Sequence, residues 1–124
     1  MDADRQKVLD KTLQALSGKV VFVEGKHDVA ALQELDVHAE FVCAHGVPLR
    51  LAEMHADACR KAGCVLLFDF DDEGKRKTSV FSELLQSLGV NPLQNVRTRI
   101  QRVFGVRTIE ELPAKYRLLL SSQR

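Results

Sequence analysis

Residues 20–28 read VVFVEGKHD, in which four apolar residues are followed at once by an acid, a glycine and three charged or titratable side chains. A short apolar run rich in β-branched residues, without alternating polar positions, is typical of a strand covered on both faces of a parallel sheet. The run ends at Glu24. This stretch therefore predicts a buried strand with a charged group at its carboxyl end.

The flanking sequence alternates between apolar runs and helical patterns. Strands are predicted at residues 19–23, 40–43, 64–68 and 93–98. Helices are predicted at residues 4–16, 29–35, 48–62 and 80–88, and from a capping box that begins at Thr108. Strands that alternate with helices in this way are typical of an α/β domain with a parallel sheet.

The length of 124 residues suits a single domain with its own core. We expect a compact α/β, Rossmann-like domain of about four mainly parallel strands with helices on both faces. Its core is predicted at residues 19–98, with a leading helix at 4–16 and a basic helical tail at 99–124.

The net charge of +1 averages two unlike parts of the chain. From Asn91 onward two acids, Glu110 and Glu111, stand against seven basic residues: Arg97, Arg99, Arg102, Arg107, Lys115, Arg117 and Arg124. This asymmetry suggests an acidic site beside a basic tail, although a solvated basic face explains it equally well.

Several features bear on the compartment of the protein. No apolar run approaches the roughly 18 residues that a membrane span needs, and the acidic start, MDAD, is unlike a signal peptide. The three cysteines are odd in number and lack CxxC spacing, so a disulfide framework is not expected. We therefore expect a cytoplasmic protein with no membrane partner.

Acids also follow the third predicted strand, in the sequence DFDDEG at residues 69–74. Ligands of parallel sheets bind beyond the carboxyl ends of the strands. If the first and third strands are neighbours, Glu24, Asp69 and Asp71 converge there. Two carboxylates 4 Å apart repel by roughly 4 kcal/mol at an effective dielectric constant near 20. A divalent cation relieves this repulsion, and Mg²⁺ prefers such oxygen ligands.

Together, VEGKHD at residues 23–28 and FDFDDEGKR at residues 68–76 resemble the Toprim family. This family includes topoisomerases, bacterial primases, nucleases and the ribonuclease that matures 5S ribosomal RNA. Its pattern is a glutamate and glycine after the first strand, matched by Glu24 and Gly25, and an Asp-x-Asp after a later strand, matched by Asp69 and Asp71. The resemblance covers about residues 19–98. Within the family, the EGKxD form at residues 24–28 resembles the maturing ribonucleases and the small stand-alone archaeal Toprim proteins.

The resemblance implies that Glu24, Asp69 and Asp71 are catalytic and hold Mg²⁺ or Mn²⁺, with Glu24 as a metal ligand or general base. The expected function is metal-dependent processing of nucleic acid, namely phosphodiester cleavage by a nuclease or phosphotransferase, with RNA favoured over DNA. Phosphate contacts are assigned to five basic residues: Lys26, Lys75, Arg76, Arg97 and Arg99.

An alternative stays open, because no separate substrate-recognition domain is visible in the sequence. The protein could instead be a non-catalytic module that binds RNA or a protein partner, or a subunit of a larger nucleic-acid-processing complex. The intact Glu24, Asp69 and Asp71 favour an enzyme, and the lack of a visible substrate-recognition domain favours the module or the subunit.

Overall fold

The structure, a computed structural model, describes residues 2–121. Its strands are β1 (Val20–Val23), β2 (Glu40–Cys43) and β3 (Cys64–Leu66). Its helices are α1 (Asp2–Gln14), α2 (Lys26–Glu34), α3 (Pro48–Ala62), α4 (Asp72–Ser87), α5 (Gln94–Phe104) and α6 (Leu112–Ser121), with a 3₁₀ turn (Ile109–Glu111) before α6. The predicted α/β class is confirmed.

The strands form a parallel sheet in the order β2-β1-β3. Val20 is aligned with Glu40 on one side and with Cys64 on the other. Parallel neighbours need a long crossover connection, and α2 and α3 provide the two crossovers. The helix that follows β1, α2, packs on one face of the sheet and the helix that follows β3, α4, packs on the other, so a topological switch point lies between β1 and β3.

The predicted fourth strand at residues 93–98 is wrong, because this segment begins a helix. Leu93 N donates a hydrogen bond to Cys64 O at 2.8 Å, which places Leu93 at the outer edge of β3. From Gln94 the chain turns into α5, whose buried residues Ile100 and Phe104 recur at helical spacing. The described sheet therefore has three strands.

Alternate side chains of β1 enter two hydrophobic clusters, one on each face of the sheet. Val21 and Val23 pack with buried residues of α1, α2, α5 and α6. Val20 and Phe22 pack with buried residues of α3 and α4. The complete burial of β1 explains why its sequence lacks polar alternation.

The core extends past the predicted boundary at residue 98. Ile100, Phe104, Ile109 and Leu112 are buried in the same cluster as Val21. The capping box predicted at Thr108 is present, and the Glu111 side chain accepts from Thr108 N at 3.1 Å. Arg124 lies outside the described residues. Within residues 2–121, no helix is both long enough and apolar enough to cross a bilayer.

Candidate active site

A cleft of about 360 Å³ opens where β1 and β3 end, at the topological switch point. Its lining residues come from the ends of these strands, from α2 and α4, and from two loops: Glu24, Gly25, His27, Asp28, His45, Asp69, Lys77 and Glu110. Crevices of this kind are where open α/β sheets bind their ligands. This cleft is the candidate active site.

Glu24 follows the last residue of β1 and is held at both carboxylate oxygens. Its Oε2 accepts a hydrogen bond from Asp69 N at 3.2 Å, and its Oε1 lies 3.5 Å from Lys77 Nζ. The first contact joins residues 45 positions apart in the chain. Because β1 and β3 are neighbours, the structure brings Glu24 and Asp69 together as the sequence predicted.

Asp69 lies in the loop after β3, and its side chain also contacts backbone. Its Oδ1 accepts from Ile109 N at 3.0 Å. The pKa of Asp69 is raised to about 6, mainly by burial and also by the negative charges of Glu24, Asp28 and Asp71, whereas the hydrogen bond from Ile109 N acts to lower it. The loop therefore holds a carboxylate whose charge is poorly compensated.

Asp71 takes a different position from the one that an extended strand would give it. β3 ends at Leu66, and Asp71 is the N-cap of α4, where its Oδ1 accepts from Gly74 N at 2.8 Å. Asp71 is not among the residues that line the cleft. Its charge still raises the pKa of Asp69, but its defined role is to begin α4.

Gly74 is required by close packing rather than by its backbone angles. A Cβ atom at this position would lie 1.8 Å from the carbonyl oxygen of Asp69. Gly25 differs, because a Cβ there would only make an ordinary contact, 3.6 Å from His45 Nε2. The first turn of α4 can thus press against the loop that carries Asp69 only with glycine at position 74.

Asp28 and Glu110 add further negative charge to the cleft. Asp28 is 7% exposed and lies in the first turn of α2, where its Oδ2 accepts from Gly25 N at 3.2 Å. Burial, followed by the charges of Glu110 and Glu24, raises its pKa. Glu110 was not predicted as a site residue, because nothing local in the sequence indicates that the 3₁₀ turn packs against α2 and the loop that carries Asp69.

The cleft suits a divalent cation that keeps several of its waters, rather than one that is enclosed by protein ligands. Among residues 2–121 no group of three or more His, Cys, Asp or Glu side chains is arranged to hold a metal ion. Glu24 and Asp69 still present two carboxylates to one cleft. Mg²⁺ is commonly held by one or two carboxylates and keeps several waters. These two acids suit it, whereas Asp71 is engaged with Gly74.

The five basic residues assigned to phosphate fall into distinct environments. Arg97 faces inward: its Nη2 donates to Asp69 O at 2.7 Å, and its guanidinium lies 4.8 Å from the centre of the Phe70 ring. Arg76 pairs with Glu73 one turn away. Lys26, Lys75 and Arg99 are exposed. The contacts of Arg97 indicate a structural role for its side chain. Phosphate binding by the other four basic residues stays a prediction.

Comparison with known proteins places the chain in a family. A UPF0292 protein of Methanocaldococcus jannaschii is 30% identical over 96 residues, which cover 76% of this chain and 75% of that protein. A UPF0292 protein of Thermoplasma volcanium is 28% identical over 98 residues, covering 77% and 81%. The chain therefore belongs to the UPF0292 family.

A solved structure supports the fold independently. A protein from Aquifex aeolicus superimposes with a TM-score of 0.63 at 27% sequence identity, covering 88% of this chain and 95% of that one. No protein-family model matches the chain.

Proposed function

We propose that this protein is a Toprim-like, divalent-metal-dependent enzyme that cleaves phosphodiester bonds in RNA. It would act in the cytoplasm, at the cleft between β1 and β3. The observation that carries the proposal is the contact between Glu24 and Asp69 at the switch point, where Asp69 N donates to Glu24 Oε2 at 3.2 Å. Two further acids, Asp28 and Glu110, line the same cleft.

The charge balance of the cleft supports a cation as its ligand. Four carboxylates line it, whereas Lys77 is the single Lys or Arg among the described lining residues. The raised pKa of Asp69, about 6, has burial as its main cause and neighbouring negative charges as further causes. A divalent cation would remove that repulsion and favour the ionised form of Asp69.

Glu24 and Asp69 would hold the ion. When bound, a divalent cation polarises a phosphoryl oxygen and lowers the pKa of a bound water. Asp69 N fixes Oε2 of Glu24, so a metal or a nucleophile's proton would take Oε1, which lies 3.5 Å from Lys77 Nζ. Ile109 N orients Asp69, and Asp71 caps the start of α4, where Gly74 packs against the Asp69 carbonyl.

A second candidate is a non-catalytic module that binds RNA or a protein partner. Two observations favour it: Lys77 supplies a positive partner for Glu24, and Arg97 is engaged with the loop backbone. The acids would then set the shape and charge of the binding surface. RNA binding that survives without turnover would support this candidate.

The test compares cleavage of labelled structured RNA, single-stranded RNA and DNA with Mg²⁺ or Mn²⁺. The wild-type protein is assayed beside Asp69→Asn, Glu24→Gln and the control Glu83→Gln, which changes an exposed acid of α4. We expect cleavage of RNA that requires the metal, falls by at least about 100-fold in either site variant and is unchanged in the control. Absence of metal-dependent cleavage, or equal activity in all four proteins, would refute the enzyme.

A further inference from the structure

Lys77 is a cation in an otherwise acidic cleft. The carboxylates of Glu24, Asp28, Asp69 and Glu110 line the same space. The Nζ atom lies 3.5 Å from Glu24 Oε1, and the two side chains are 30% and 27% exposed. The sequence analysis assigned phosphate contacts to the neighbouring Lys75 and Arg76, and Lys77 was not among the five assigned residues.

Helix geometry explains why Lys77 reaches the cleft and its neighbours do not. Gly74 packs against the carbonyl oxygen of Asp69, and a residue three positions later lies on nearly the same face of a helix. Lys75 and Arg76 point elsewhere and are exposed.

The contact between Lys77 and Glu24 is suited to exchange. Charge-assisted N–H···O bonds are usually about 2.7–2.9 Å long, so a separation of 3.5 Å indicates a loose pair. Ion pairs that keep partial contact with water contribute little to stability. A divalent cation at Glu24 would therefore displace Lys77 easily, and the flexible four-carbon stem would let the ammonium move.

We propose that Lys77 is the internal counter-ion of Glu24 in the metal-free protein and, once a divalent cation takes Glu24, binds a phosphate oxygen of the RNA. This inference rests on the proposed function and adds a substrate-contacting residue to its site. The ammonium thus exchanges one oxyanion for another within the cleft. The same side chain would link metal occupancy to substrate binding.

The first measurement is Mn²⁺ affinity by titration calorimetry, with the metal alone as ligand. Lys77→Met removes a positive charge next to the metal site, so it should bind Mn²⁺ about tenfold more tightly than wild type. Lys77→Arg should stay within about threefold of wild type because it keeps the charge. The control Lys7→Met, on exposed α1, should match wild type.

The second measurement is RNA affinity by fluorescence anisotropy in Ca²⁺, which needs no turnover. Lys77→Met should weaken binding at least about fivefold, Lys77→Arg should restore most of it, and Lys7→Met should change nothing. This combination of tighter metal binding with weaker RNA binding is not expected from a merely structural lysine.

The failures can be told apart. If wild type binds Mn²⁺ and Lys77→Met binds it with the same affinity, the counter-ion role is overturned but the metal site is not. Unaltered RNA affinity in Lys77→Met would overturn the phosphate contact. If wild type bound neither Mn²⁺ nor RNA, the proposed function and this inference would both be overturned.

Discussion

Asp69 is the residue whose environment most affects the chemistry of the cleft. Its pKa rises from an ordinary value of 3.8 to about 6, with burial as the largest cause. Between these two values the folded protein keeps a proton that the unfolded chain releases. Stability therefore falls as pH rises through this window, because the native state binds more protons there.

The prediction is that Asp69→Asn flattens this part of the stability profile. Asn keeps an oxygen that can accept from Ile109 N but cannot ionise. Urea unfolding at several pH values between about 4 and 7 measures the difference between variant and wild type. The pKa of Asp28 is also raised, so the stability of both wild type and variant should keep the same smaller dependence on pH from that residue. Parallel profiles for the two proteins would contradict the assignment.

Gly74 gives a sharper test of how the loop is built. Gly74→Ala places a Cβ against the Asp69 carbonyl, at a separation of 1.8 Å unless the backbone moves. We expect a loss of about 2–3 kcal/mol in the free energy of unfolding, together with weaker metal binding. Urea denaturation measures the first effect and calorimetry the second.

Gly25→Ala is the matched control, because its Cβ would meet only His45 at an ordinary distance. Its stability should stay within about 1 kcal/mol of wild type. Any loss of metal or RNA binding in this variant would then report close approach of a ligand to the Gly25 backbone. Equal stability of the two alanine variants would show that the Asp69 carbonyl does not limit position 74.

For single residues, the sequence predicted the position of a side chain correctly where that position depended only on the end of a strand. Glu24 and Asp69 were predicted to meet because both follow strands that could be neighbours, and they do. Asp71 was placed on the same face by assuming an extended chain, but it caps a helix. Lys77 could have been found from its spacing of three to Gly74, whereas Glu110 depends on a tertiary contact with no local signal.

Among the secondary-structure elements, α5 connects the basic part of the chain with the site. Arg97 donates to Asp69 O and lies over the Phe70 ring, so it fastens this helix to the site loop. Arg97→Ala should lower the free energy of unfolding by about 2–3 kcal/mol. Chemical denaturation followed by circular dichroism measures this change.

Arg99, two positions along the same helix and exposed, supplies the comparison. Arg99→Ala should change stability by no more than about 0.5 kcal/mol, and any effect on RNA binding should diminish at high salt. Similar stability losses in both variants would argue against a specific role of Arg97 in holding the loop.

The same helix shows why one element was predicted wrongly. Residues 93–98 contain Leu93, Val96 and a threonine, which suit a short strand when they are considered alone. The helical repeat becomes visible only when Val96, Ile100 and Phe104 are taken together. By contrast, the strand predicted at residues 40–43 and the helix at 48–62 have the predicted bounds, because Pro48 and Gly63 mark the helix ends.

Across the whole molecule, the segment after residue 98 belongs to the core and to the site. Ile109 is fully buried, and its backbone N–H holds Asp69. Ile109→Ala should cost about 2–5 kcal/mol in stability. Leu118→Ala, which truncates a side chain that is 58% exposed in α6, should cost far less. Thermal or urea unfolding of both variants checks this, and an equal small effect would mean that the tail is dispensable.

Strand order could not be obtained from the sequence, because apolar runs identify strands but not their neighbours. The order β2-β1-β3 creates the switch point, and the register of β1 with β3 aligns Phe22 with Leu66. These features bring Glu24 to Asp69. The acidic motifs predicted which residues to consider, and the packing of whole elements decided which of them meet.

The most direct test of the account is thermal unfolding with increasing Mg²⁺ or Mn²⁺. A ligand that binds only the folded state raises the melting temperature as its concentration increases. We predict such a rise for wild type and for Glu83→Gln, and none for the double variant Glu24→Gln/Asp69→Asn. A melting temperature of wild type that does not change with metal concentration, or one that rises equally in the double variant, would contradict a cation site between Glu24 and Asp69.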